Sequence, residues 1–170
     1  LWRIEGVEVP SPNHFSGEGY QGGAVTMLST VVLARSDIFT GAFPAEYGNS
    51  TAGVFDLRMR KGNNERTEGT FQIGVLGVEG GIEGPFSKRK NASYLVNYRY
   101  STLGLANAVG FNTGNVATKY QDLNFKLNFP SKKAGTWSLF GVMGTSELRR
   151  DKDVQKNNPS RSKKKFKTSV

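Results

Sequence analysis

The sequence predicts an all-β chain with only minor helix, on three observations. Apolar and polar residues alternate with a period of two over several stretches of roughly ten residues. Clusters of Gly, Pro and Asn punctuate those stretches. No run of eighteen apolar residues occurs, which excludes a membrane-crossing helix and leaves open a crossing by alternating strands of about 9–11 residues.

The elements follow in order. Leu1 to Val9 alternates up to Pro10 and reads as one strand; Ser11 to Gly23 is loop. Ala24 to Leu33 fits either a short helix or a buried strand, and Arg35 to Thr40 reads as a strand. Gly41 to Gly53 is a loop in which Gly41, Pro44, Gly48, Asn49 and Gly53 each match a turn requirement: positive φ, fixed φ, or tolerance of the left-handed region. The strand after it splits by parity, with Phe55, Leu57 and Met59 on one side and Asp56, Arg58 and Arg60 on the other. It closes at Gly62-Asn63-Asn64.

Beyond Glu65 the strands lengthen. Thr70 to Gly77 and the Gly-rich Gly80 to Phe86 form the first pair, and Ser87-Lys88-Arg89-Lys90-Asn91 is a tight polar turn. Ala92 to Ser101 carries the sharpest alternation, Tyr94, Val96, Tyr98 and Tyr100 against Ser93, Asn97, Arg99 and Ser101, with Leu95 alone breaking the polar face. A longer Gly/Asn connection, Thr102 to Lys119, leads to Tyr120–Phe129, where Leu123, Phe125, Leu127 and Phe129 alternate with Asp122, Asn124, Lys126 and Asn128. A second short turn, Pro130 to Gly135, precedes a last strand, Trp137 to Glu147.

Alternation alone fits a soluble antiparallel sandwich better than a barrel. Short charged turns that alternate with long Gly/Asn loops, and aromatics at strand ends (Phe86, Tyr100, Tyr120, Phe129, Trp137), fit a membrane barrel with interfacial girdles.

The segment GAFPAEYGNSTAGVFDL resembles the end of the plug domain of TonB-dependent outer-membrane receptors, in its Bacteroidetes-type branch, and EGPFSKRKNASYLVNYRYS resembles the barrel wall that follows. The resemblance implies a partial plug domain over residues 1–64, the first five or so strands of an incomplete transmembrane β-barrel as an antiparallel meander over 65–147, and a basic extracellular loop or tail over 148–170. It further implies a structural plug-to-barrel motif at Gly41, Pro44, Glu46, Tyr47, Gly48, Asn49 and Gly53. The charged face of Asp56, Arg58 and Arg60 is then expected to contact lumen-facing Arg99, Asn124 or Lys126, directly or through water, the alternative being a solvent-exposed strand face. Implied partners are a TonB-type energising protein, outer-membrane lipid, a solute, glycan or peptide ligand and a lipoprotein lid. The implied location is the outer membrane of a Gram-negative cell. Two departures stand out: Gly53 is preceded by Ala52 where many members carry Gly-Gly, and the TonB-box peptide is missing.

Composition limits the other classes. There is no cysteine, hence no disulfide or thiolate metal site. The net charge of +9 is concentrated after Leu148, where nine Lys/Arg face two Asp for a net of +7; a mobile loop near anionic phosphates explains this better than nucleic-acid binding. The chain opens mid-strand without Met and is expected to be a fragment with its targeting signal upstream. His14, the sole histidine, reads as a surface or packing residue, and Glu79/Glu83 and Asp151/Asp153 as solvated surface. No catalytic motif, metal cluster or cofactor site is legible, so no enzyme is expected. Ligand contacts are expected from Asn13–Gln21 and Leu103–Thr118. The runner-up is a soluble or surface-displayed all-β binding or adhesion module without transport.

Overall fold

A computed structural model of the chain describes residues 1–15, 23, 25–50, 52–74, 77–87, 91–101 and 116–150. The described residues are almost entirely β, with two 3₁₀ turns at Thr30–Val32 and Ala45–Tyr47, and the sheets are not closed. None of their helices is long and apolar enough to cross a membrane, which says nothing of strands.

Six short strands build an N-terminal unit: β1 (Trp2–Ile4), β2 (Val7–Val9), β3 (Asn13–His14), β4 (Val25–Thr26), β5 (Asp37–Phe39) and β6 (Val54–Leu57). Four of them form a mixed sheet in the order β2-β1-β6-β5, with β1 and β6 parallel, while β3 and β4 pair by themselves. The single strand expected over Leu1–Val9 is a hairpin. Glu5 and Gly6 both take positive φ, 53° and 82°, and join Ile4 to Val7 as a two-residue turn. Glu5 lacks the short side chain that usually favours this conformation, so the turn was hidden in the sequence. Of the expected Ala24–Leu33 element, Ala24 lies outside the described residues and the rest resolves into β4 and a 3₁₀ turn capped by the Ser29 hydroxyl, which accepts from the Val31 amide.

The five long strands β7 (Glu68–Ile73), β8 (Val78–Ser87), β9 (Ala92–Tyr100), β10 (Val116–Ser131) and β11 (Gly135–Arg150) form one antiparallel meander in chain order. β11 runs to Arg150, so residues 148–150 are strand rather than tail; residues 151–170 lie outside the described residues.

The N-terminal unit lies on one face of this meander, and the face it covers is the polar one. Asp122, Asn124, Lys126 and Asn128 of β10 are buried, as are Ser93 and Asn97 of β9. Facing away from the N-terminal unit are Phe71, Ile73, Ile82, Tyr98, Phe129, Trp137, Leu139 and Met143, all exposed. Leu95, the one apolar residue on the polar face, is 1% exposed and completes a small core with Ile4, Leu28, Val32 and Met59. Phe140 and Val142 of β11 pack against its edge. The chain passes from one unit to the other at Gly62, where a Cβ would lie 2.0 Å from the Tyr94 carbonyl oxygen; only glycine fits that approach.

Candidate functional site

The candidate site is the buried polar interface between the N-terminal unit and the meander. Around the Leu95 core, pairs of opposite charge or matched hydrogen bonds join residues far apart in sequence. A strand pleat places β10's even-numbered residues on the covered face, which sets Asp122, Asn124 and Lys126 in a row beneath the N-terminal unit.

At one end of the row, Lys126 Nζ donates to Glu5 Oε1 at 2.8 Å and to the Met59 carbonyl at 2.8 Å. Glu5 Oε1 also accepts from the Met59 amide at 2.6 Å. Beside it Arg60 makes a two-pronged bond to Glu83 of β8, at 2.8 and 2.6 Å, and donates to the Val31 carbonyl at 2.6 Å; Glu83 also accepts from the Asn63 amide. Such a fork fixes orientation as well as charge.

In the middle, Asn124 Nδ2 donates to the Met27 carbonyl at 3.1 Å. Asn97 stands opposite Asn124 across the ladder, and the side-chain oxygens of both, with Asn97 Nδ2, are buried without a protein partner.

At the far end Asp122 is gripped from two sides. Arg99 Nε donates to Asp122 Oδ2 at 2.8 Å, while His14 Nε2 meets Asp122 Oδ1. Arg99 also donates to the Thr26 carbonyl, and its guanidinium sits 5.3 Å from the Tyr120 ring centre. The His14 ring lies 5.1 Å from the same ring. Glu79, opposite Arg99 on β8, accepts from the Ser29 hydroxyl. Glu79 and Glu83, read as solvated surface, are therefore interface residues. The misreading arose because a strand's exposure depends on what lies across it, which the strand's own sequence does not record.

The expected charged face of β6 divides. Asp56 is buried on the other side of the small sheet, where Tyr47 Oη donates to Asp56 Oδ2 at 3.1 Å. Arg58 is exposed and only 3.8 Å from Asp56. Arg60 alone reaches the meander, because β6 ends at Leu57 and Met59 bridges to Leu33. Arg99, Asn124 and Lys126 do meet the N-terminal unit, but through Thr26, Met27, Glu5 and Met59.

The described part of the loop, residues 41–50 and 52–53, lies over the small sheet. Pro44, φ −54°, opens the 3₁₀ turn that seats Tyr47 between Phe39, 5.3 Å away, and the Arg3 guanidinium, 5.0 Å away. Glu46 approaches Arg3 at 3.7 Å, Asn49 is exposed, and the Gly53 carbonyl accepts from Ser50 Oγ and from the Leu1 nitrogen. Gly41, Gly48 and Gly53 do not use positive φ; Ala42 does, at 50°. Burial, with the bond to Asp56 second, holds the Tyr47 phenol above the usual tyrosine range.

Glu5 and Asp122 are interface residues that the sequence did not single out, whereas His14, read as a surface or packing residue, is buried in packing, and Glu79 and Glu83, read as surface, are interface residues. For Asp122 a signal existed, since it shares the parity of Asn124 and Lys126. Among the described residues no group of three His, Asp or Glu could hold a metal. Of the expected ligand segments, Asn13 and His14 are β3, residues 116–118 are β10, and 16–21 and 103–115 lie outside the described residues.

Compared with protein-family models, curated proteins and solved structures, the chain matches none.

Proposed function

We propose that this chain is the C-terminal part of a plug and the first wall strands of an outer-membrane β-barrel transporter of the TonB-dependent type. The observation that supports this reading most is the reversed meander: its polar face is covered by protein and its apolar face is bare. A sandwich or adhesion module would bury Tyr94, Val96, Phe125 and Leu127 against a second sheet. A barrel wall turns them to hydrocarbon and its polar residues to the lumen. The bare face also has the right height. From Phe129 to Gln121, which pairs with Tyr100, is ~27 Å along the strand, close to an apolar band ~25 Å tall with aromatics at both edges. The free edges at β7 and β11 would pair with further strands of the cylinder, since unpaired edges are costly in lipid.

In this reading the N-terminal unit is the stopper, seated by separate polar contacts around one small apolar cluster. Such contacts exchange readily with water, which suits a part that must shift without unfolding the wall. A scarce solute binds outside, an energising protein of the inner membrane pulls on the stopper, and the solute enters the periplasm. The wall is in the outer membrane, and a lipoprotein lid is compatible with the outside loops.

The test is fractionation joined to uptake. The protein should sediment with outer membranes, resist carbonate extraction, and support growth on a scarce iron chelate, glycan or peptide only while the inner membrane is energised. Recovery in the soluble periplasmic or shed fraction would favour the adhesion module instead.

A further inference from the structure

The bare face of the meander is not uniform from end to end. At the end of the β10–β11 turn, Phe86 stacks on Phe129 with ring centres 5.5 Å apart and planes 17° apart, and Tyr94 touches Phe86 at 5.1 Å. Trp137 stands opposite Phe129 and is 68% exposed. Immediately beyond these rings, Lys132 and Lys133 project from the turn; both are exposed and neither forms an ion pair among the described residues. The stretch from Pro130 to Trp137 contains no acid. At the other end Lys119 stands opposite Glu147 in the ladder, and Tyr98 donates its hydroxyl to Gln121.

We propose that the Lys132–Lys133 turn and the Phe86/Phe129/Trp137 rings form a seat for anionic phospholipid headgroups. Rings of this kind lie at the boundary between acyl chains and headgroups. Two uncompensated ammonium groups one turn beyond them sit at the level of the lipid phosphates, where each cation gains from anionic lipid. The inference rests on the membrane reading above and adds which lipid class borders the wall, and where.

The intact polypeptide is reconstituted in nanodiscs of phosphatidylcholine with a minor share of phosphatidylglycerol, beside a Trp137→Phe variant whose difference signal isolates Trp137. Quenching of Trp137 by brominated acyl chains reads the membrane placement, and lipid retained on gentle extraction reads headgroup preference. Phosphatidylglycerol should be enriched over phosphatidylcholine, and Lys132→Gln/Lys133→Gln should lower that enrichment about fivefold per lysine. Equal retention of both lipids, or enrichment that survives the double substitution, overturns the proposal while quenching keeps the membrane reading. Absence of quenching overturns both.

Discussion

Lys126 and Glu5, 121 residues apart in sequence, meet through a 2.8 Å ion pair that fastens the first hairpin to the fourth long strand. Glu5 occupies the left-handed region at the tip of that hairpin, a conformation that costs a non-glycine residue about 1–3 kcal/mol unless its surroundings hold it. Lys126 and the Met59 amide hold it, so one contact both docks the N-terminal unit and stabilises its turn.

Breaking this pair is expected to be severe. Lys126→Met should destabilise the interface by about 3 kcal/mol, because a largely buried carboxylate loses its counter-charge. Glu5→Gln/Lys126→Met together should recover part of that loss. A double-mutant cycle, read by hydrogen exchange at the Met59 amide, gives the coupling.

Two arginines that look equivalent in sequence should behave differently. Arg58→Leu is expected to change stability by less than about 0.5 kcal/mol, since the side chain is exposed and its carboxylate lies 3.8 Å away. Arg60→Leu should cost about 2–4 kcal/mol, because Glu83 then loses both prongs of its partner. Denaturant titration of the two variants side by side measures the contrast.

Leu95→Ala should loosen the N-terminal unit from the meander by about 2–4 kcal/mol, the usual range for emptying a buried leucine site. Proteolysis of the variant should release the N-terminal unit before the long strands are cut. Substitution of exposed Leu139 by Ala should leave that order of cleavage and the seating of the unit unchanged.

Alkaline pH should act through Tyr47. Its phenol is held above the ordinary tyrosine range, so the folded chain binds this proton more tightly than the unfolded chain. The associated stability is full below about pH 10 and is lost as pH rises through the elevated value. Tyr47→Phe should remove that slope and lower stability at neutral pH, since Asp56 loses its hydroxyl donor. Thermal unfolding across pH 8–11.5 reads both effects.

The long strands were legible because a period of two survives wherever one face is apolar throughout, as with Tyr94 to Tyr100 and Leu123 to Phe129. Even the exception was informative: Leu95 broke the polar face because it belongs to the N-terminal unit's core. The short strands were harder. A strand of three residues shows no period, and the turn at Glu5-Gly6 lacked Asn or Asp to announce it. The interface partners were hidden for another reason. Glu83 looks like an ordinary surface residue, and His14 like a surface or packing one, until Arg60 and Asp122 arrive from 23 and 108 positions away, and Arg60 parted from Asp56 only because β6 ends at Leu57.

The central claim is that hydrocarbon, not protein, covers the odd-numbered residues of β10. The chain has no cysteine, so nitroxide labels can be placed singly at each position from Leu123 to Asn128. In reconstituted bilayers, dissolved oxygen should relax labels at Leu123, Phe125 and Leu127 strongly, with low relaxation at the even positions between them. Odd positions shielded from both oxygen and water-soluble nickel chelate would mean that a second sheet covers them, and would contradict the account.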